Sequence, residues 1–222
     1  ILHRASMKSY LDYLEKSNFH VQYFEHYQNP KLNKYSLFDP IDKLDLTGKF
    51  TIFETPNFLL SIENYQDYRK KTDKFNFSPF YNFGKKIVKI IPNIGSQDKS
   101  NREKIPKNIK IPDIPNNNTN SYVKEAIKYV EKNFPNNYGN SNNFNYPINH
   151  TQARKWLTDF IENRFNNFGP YEDFVMKEEP YLFHSVLSSS INIGLINPLE
   201  IIDKIRGFKK KIKINSYEGY IR

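Results

Sequence analysis

The chain contains no cysteine at all. That single absence removes disulfides, thiolate nucleophiles and thiolate metal ligands together. Tryptophan is almost as scarce, with Trp156 alone, so no relay of tryptophans for electron transfer can be read. Long apolar runs are missing too: none approaches the ~18–20 residues that span a bilayer, and the first residues lack the basic-then-apolar order of a signal peptide. A soluble, intracellular, non-secreted protein is the expectation. His3, His20, His26 and His150 show no ligand spacing such as His-x-x-x-His, so no metal site is expected. The acidic pairs Glu172-Asp173 and Glu178-Glu179 are sequence neighbours, which on a helix point apart, and they make a poor case for hydrolysis. No Gly-rich dinucleotide fingerprint occurs either.

What is present begins with charge. Thirty-three Lys and Arg against twenty-four Asp and Glu give a formal charge of +9, which favours a polyanionic partner through counterion release. Hydrophobic residues at 38%, with 16% aromatic, are enough to fill a core in a chain of 222 residues despite a negative mean hydropathy. One large or two small domains can be built from this length.

Periodicity divides the chain. Met7, Tyr10, Leu11 and Leu14 predict a helix over residues 1–17, followed by a strand at 21–25 and a second strand at Lys49–Phe53. Residues 61–91 read as partly helical, with Tyr65, Tyr68, Phe80 and Ile87 as buried candidates. Residues 1–90 therefore read as an incomplete Rossmann-like α/β unit. Between 91 and 120, Pro92, Pro106, Pro112 and Pro115 prevent long helices, and Lys99, Arg102, Lys104, Lys107 and Lys110 make this interdomain linker basic. From 121 to 222 the pattern is all-α. One stripe is Val123, Ala126, Ile127 and Val130; another is Ala153, Trp156, Leu157, Phe160 and Ile161, ended by Asn166-Asn167-Phe168-Gly169-Pro170. Lys204, Arg206, Lys209, Lys210, Lys211 and Lys213 form a second basic cluster.

The most informative stretch is Phe183-His184-Ser185-Val186-Leu187-Ser188-Ser189-Ser190-Ile191-Asn192-Ile193-Gly194-Leu195-Ile196. Hydroxyls and free N–H groups at a helix start serve as ordinary caps or bind a phosphate. Just upstream lies Arg164-Phe165-Asn166-Asn167-Phe168-Gly169-Pro170-Tyr171-Glu172-Asp173-Phe174-Val175-Met176, and the two in this order resemble the flavin-binding region of the photolyase/cryptochrome superfamily. The likeness is to its deoxyribodipyrimidine photolyase-related branch, with the iron–sulphur bacterial cryptochromes and (6-4) photolyases. Arg4-Ala5-Ser6-Met7, His20-Val21-Gln22-Tyr23, Asp39-Pro40-Ile41-Asp42, Glu54-Thr55-Pro56-Asn57 and Gln97-Asp98-Lys99-Ser100 resemble further landmarks in the same order.

The resemblance implies an antenna-type Rossmann-like domain over 1–90, a linker over 91–120 and part of a helical FAD-binding domain over 121–222. It implies FAD as cofactor, with an antenna chromophore as an optional second one. Cofactor contacts fall to Tyr171 and the phosphate-cradling Ser185, Leu187 and Ser188, with Asn192 ordering that turn and Glu218 and Arg222 opening the helix that lines the flavin cavity. His184 is assigned packing or phosphate proximity. Lys99, Arg102, Lys104, Lys209, Lys210 and Lys211 are the implied DNA contacts, and no catalytic side chain is assigned. An iron–sulphur cluster would need cysteines from a C-terminal part beyond Arg222, so a fragment, with a separately encoded C-terminal partner as one form of it, is expected. The implied activity is lyase-type, light-driven electron-transfer repair of pyrimidine photodimers in UV-damaged duplex DNA; a cryptochrome-like blue-light photoreceptor and a cofactor-free remnant remain the alternatives.

Overall fold

A computed structural model describes residues 1–42, 45–74, 76–89, 94–117 and 120–222. Pro92 of the linker lies outside them. Helix α1 spans Leu2–Lys16, followed by strands β1, Lys34–Phe38, and β2, Lys49–Phe53. Then come α2, Ile62–Arg69, α3, Phe77–Ile87, and α4, Ser121–Asn133. The C-terminal part holds α5, His150–Asp159, α6, Phe165–Phe168, α7, Ser188–Asn192, α8, Pro198–Arg206, and α9, Ile214–Ile221. The molecule is mostly helical, and among the described residues the α/β character expected for the first ninety takes the form of one two-stranded parallel sheet.

In that sheet Lys34 pairs with Lys49 and Phe38 with Phe53. Gly48 makes the pairing possible: its φ is +88°, and a Cβ there would sit 2.7 Å from the Leu32 carbonyl oxygen. The strand expected at 21–25 is absent. Those residues take no regular structure, and their polar and aromatic side chains are taken by α1 rather than by a neighbouring strand: Lys8 lies over the Tyr23 ring at 5.8 Å, and Arg4 pairs with Glu25 at 2.6 Å. β1, which sequence periodicity did not single out, pairs with β2 instead.

α1 forms where expected but presents a different face. Met7 and Tyr10 are about half exposed, while Ala5 is fully buried against Val123, Ala126 and Ile148. The small Ala5 lets α1 approach α4 closely, and a larger residue would hold the two backbones apart. Arg4 reinforces the contact, bonding Glu125 at 2.7 Å with its guanidinium 3.7 Å from the Tyr129 ring centre.

The main core lies in the C-terminal part. All five residues of the Ala153 stripe are buried, joined by Phe165, Leu187, Leu195, Ile196, Ile201, Ile205 and Tyr217. The linker takes part in this packing: Ile94 and Ile114 rest on that core, and Ile105, Ile109 and Ile111 pack around Tyr171, Leu182 and Phe183. Of the four burial candidates in 61–91, Tyr68 is buried and Tyr65 and Phe80 half-buried, but Ile87 is exposed in the last turn of α3, where the helix faces solvent. Among the described residues, no helix is long and apolar enough to cross a membrane.

Candidate functional site

Asn149 caps α5 by accepting from the Gln152 N–H at 2.9 Å, and the helix then runs into a π-helical turn, Phe160–Arg164, before α6. A π turn inserts one residue into the helical register, and such turns concentrate at functional sites. Here the shifted register drives Arg164 wholly into the interior. Its guanidinium pairs with Asp159 and donates through Nη1 to the His184 carbonyl oxygen at 3.2 Å, while Nε has no partner. Burial pushes the Arg164 pKa below its ordinary value, and the Asp159 carboxylate pulls it back up.

The serine-rich stretch forms a tight turn over 182–188 leading into α7. Leu182 and Val186 adopt φ of +42° and +56°. For a β-branched valine this left-handed region is an outlier that only firm surroundings sustain. Leu187 occupies the cap position of α7, and no side-chain cap bond is made there, so the serine hydroxyls do not serve as caps. Leu187 is buried, Ser185 half-buried, and Ser188 and Asn192 lie exposed at the two ends of α7, one helical turn apart. The hydroxyls of Ser189 and Ser190 are buried without partners. His184 packs its ring edge-on to Phe168, with centroids 5.7 Å apart.

α9 closes the arrangement. Ser216 Oγ donates to the Asn166 carbonyl and accepts from the Gly169 N–H, both at 2.9 Å. Tyr220 inserts among Phe160, Phe165 and Phe168, 4.7, 5.5 and 5.3 Å between centroids, with its phenol near Ser185. Burial raises the Tyr220 pKa to about 12, with Ser185 and Arg164 opposing that rise. A tyrosine whose folded pKa exceeds its unfolded value of ~10 lends stability that is complete below pH ~10 and lost as pH rises toward 12. Alkaline unfolding is therefore expected to be steeper for the native chain than for Tyr220→Phe between pH 10 and 12; circular dichroism melts of both across that range check it, and parallel curves would refute it.

Tyr171 is buried against Phe183, with ring centroids 5.5 Å apart, so its ring joins the turn to the stretch before it. Glu218 is also buried: it accepts from the Gln97 N–H at 3.0 Å and lies 3.2 Å from Arg222 Nε, an ion-pair distance without hydrogen-bond alignment. Arg222 further reaches Asp98 at 3.4 Å and Glu172 at 3.8 Å. The stretch 164–173, the turn 182–188 and α9 thus form one packed unit. It holds Tyr171, Ser185, Leu187, Glu218 and Arg222, with Ser188 and Asn192 on its outer surface. Arg164 and Tyr220 are the residues that sequence reasoning left without a role.

A sizeable cavity lies elsewhere. A groove of about 870 Å³ opens between the sheet, α2 and α3, lined by Phe53, Phe58, Tyr65, Phe77 and Tyr81, and of the anticipated cofactor residues it includes Arg222 alone. Of the basic residues, Lys99 and Lys104 are exposed; Arg102 is exposed but paired with Asp173 at 3.1 Å and Asp98 at 3.5 Å. Lys209, Lys210 and Lys211 stand exposed on the turn after α8. No group of three or more acidic or histidine side chains suited to a metal occurs among the described residues.

The family described as deoxyribodipyrimidine photo-lyase-related protein matches residues 31–146, just over half of the chain. A (6-4) photolyase of Agrobacterium fabrum is 36% identical over 102 residues, which cover 45% of this chain and 20% of that protein. An uncharacterized protein of Acanthamoeba polyphaga mimivirus is 46% identical over 57 residues, covering 23% of this chain and 43% of its own length. The chain thus spans well under two thirds of either relative.

Proposed function

This chain belongs to the deoxyribodipyrimidine photo-lyase-related protein family, and from that premise we propose that it is the FAD- and DNA-binding part of a light-driven DNA-repair flavoprotein. The observation that carries the reading is the single packed unit made by residues 164–173, the turn 182–188 and α9. Its donors suit a dinucleotide's phosphates: the exposed hydroxyl of Ser188, the half-buried one of Ser185, and the buried, unpartnered ones of Ser189 and Ser190. When bound, reduced FAD supplies a light-driven electron for reopening a pyrimidine photodimer. This chain's part is to bind, orient and shield. Tyr171 backs the turn, Leu187 anchors it in the core, and Glu218 and Arg222 fix the end of α9 beside it. The chain itself provides no cysteine for an iron–sulphur cluster.

A flat antenna chromophore fits the separate groove, where Phe77 and Tyr81 lie nearly parallel at 5.8 Å and aromatic walls offer stacking surface. Titration with FAD, followed by flavin fluorescence, tests the main assignment. Ser185→Ala and Ser188→Ala should each weaken binding by about 1–2 kcal/mol, the worth of a hydrogen bond to a charged acceptor. Unchanged affinity in both variants would remove the phosphate role.

The exposed Lys209, Lys210 and Lys211 are proposed to meet the DNA backbone. Changing all three to glutamine should weaken binding about equally for undamaged and UV-damaged duplex, and should flatten the salt dependence by up to about 0.9 logarithmic units for each phosphate no longer neutralised. Fluorescence anisotropy over a salt series measures both quantities. A loss confined to damaged DNA would instead assign the run to lesion recognition.

A further inference from the structure

We propose that α9 clasps the linker at residues 97–101 and thereby sets Lys99 and Lys104 in place for a nucleic-acid backbone, with Glu218, Asn215 and Asn101 as positioning residues. The proposal rests on the reading of this chain as DNA-binding. The clasp itself stands on hydrogen bonds that need no ligand. Glu218 Oε2 accepts from the Gln97 N–H at 3.0 Å, and Asn215 Nδ2 donates to the Ser100 carbonyl oxygen at 2.8 Å. Both side chains leave one face of the same helix, three residues apart, and they grip the two ends of the short turn Asp98–Ser100. Arg222, a further turn along α9, reaches Asp98 at 3.4 Å. With its neighbours on both sides held, Lys99 stands exposed at the middle of that turn.

The holding groups are buried, and burial makes their bonds obligatory. Glu218, Asn215 and Asn101 all lie out of water, where a carboxylate or carboxamide is costly unless it is hydrogen-bonded. The linker backbone supplies the partners of the first two, and Asn101 Nδ2 donates to Glu172 Oε1 at 3.1 Å. The approach is close: a Cβ at Gly219 would sit 3.1 Å from Asn101 Nδ2 and 3.2 Å from Glu172 Oε2. Beyond Asn101 the linker is fastened to the 164–173 stretch as well. The Glu103 N–H donates to the Pro170 carbonyl oxygen at 3.0 Å, and Arg102 pairs with Asp173 at 3.1 Å and Asp98 at 3.5 Å. Arg102 is thereby turned to fastening, which leaves Lys99 and Lys104 as the exposed cations on either side of it.

Such fastening matters for a phosphate contact. A loose loop must be ordered when it binds, and that ordering subtracts from affinity, whereas a loop already held by its own helix has nothing further to lose. The clasp also uses a carboxylate, so its effect can be told from plain electrostatics by sign. Deleting the Glu218 charge makes the chain more positive, which by itself strengthens attraction to a polyanion. Loss of the clasp weakens it.

The test uses the chain itself with Glu218→Ala, Glu218→Gln and Asn215→Ala. Hydrogen–deuterium exchange without DNA should show the Gln97 amide opening about tenfold faster in Glu218→Ala, the loss expected for one buried hydrogen bond, while α4 and α5 keep their protection. Glu218→Gln keeps a carbonyl acceptor and should stay near native exchange. In fluorescence anisotropy with a short undamaged duplex, Glu218→Ala should bind about two- to tenfold more weakly, the cost of ordering a few loop side chains, and Glu218→Gln as tightly as the native chain or more so. The salt dependence should not change in either variant, because the same lysines meet the same phosphates. Unaltered exchange at Gln97 in Glu218→Ala, or DNA binding by Glu218→Ala as tight as by Glu218→Gln, would overturn the proposal. Should Glu218→Ala fail to fold, Asn215→Ala frees the Ser100 carbonyl without altering any charge; the same loss of affinity is expected, and native affinity there would overturn the clasp's role. A native chain that binds no duplex would overturn the DNA reading, while exchange at Gln97 still decides whether α9 holds the linker.

Discussion

Asp159→Ala is expected to destabilise the chain by about 3–5 kcal/mol, the penalty for stranding one member of a buried ion pair. Arg164 has no exposure to water, and with Asp159 gone its guanidinium would keep one hydrogen bond, to the His184 carbonyl. A cation so placed must draw in water, shed its proton or leave the core, and each route disturbs the π turn that carries it. Asp159→Asn should cost less, because the amide oxygen still accepts a hydrogen bond although the charge is gone. The double replacement Asp159→Ala/Arg164→Met should recover much of the loss, since removing both charges also removes their desolvation cost. Urea melts of the four proteins measure these differences. If Asp159→Ala lies within about 1 kcal/mol of the native chain, the pair does not hold Arg164 in place.

The route by which Arg164 becomes buried could not be read from sequence. The stripe from Ala153 to Ile161 was legible because apolar residues recur at helical spacing and every one of them faces the core. A π turn adds a residue to that register without any compositional mark, so nothing in Phe160-Ile161-Glu162-Asn163-Arg164 distinguishes a polar residue turned inward from one on the solvent face. Strand β2 was legible from its alternation. The stretch 21–25 carries the same signal, but its side chains are satisfied by α1, and pairing with a second strand is what makes a segment part of a sheet. In the candidate site, the serine-rich turn and Tyr171 stood out from the sequence. Tyr220 did not, because its place among Phe160, Phe165 and Phe168 joins residues far apart in the chain and exists only once α9 has packed on α6. The linker shows the same limit: among its described residues no helix longer than the short turn 98–100 forms, as its prolines implied, whereas the packing of Ile105, Ile109 and Ile111 depends on a surface supplied by Tyr171, Leu182 and Phe183.

Gly169→Ala is the second substitution expected to have a large effect, and its cause is steric alone. The φ of Gly169 is −58°, which alanine adopts without strain, so on backbone grounds the change should be mildly stabilising. The added methyl, however, would sit 2.5 Å from the Ser216 nitrogen and 2.7 Å from both the Asn215 carbonyl carbon and the Ser216 Cα. All three are backbone atoms of α9, and no side chain can rotate away to make room. The helix must therefore retreat, stretching the Gly169–Ser216 hydrogen bond and withdrawing Tyr220 from the phenylalanine rings that border the turn. Overpacking of this kind costs roughly 1–3 kcal/mol, and more where rigid backbone opposes rigid backbone. Gly207→Ala is the internal control: its nearest neighbour to a new Cβ is the Lys204 carbonyl oxygen at 3.9 Å, an ordinary contact, so its stability should hold or rise slightly. Denaturant melts should separate the two variants by well over about 1 kcal/mol. Because α9 carries Tyr220 one turn beyond Ser216, Gly169→Ala should also speed amide exchange at 184–188, although residue 169 lies outside the turn itself. Equal stability of the two glycine variants would mean that α9 does not rest on Gly169, and the link from the 164–173 stretch through α9 to the turn would fail with it.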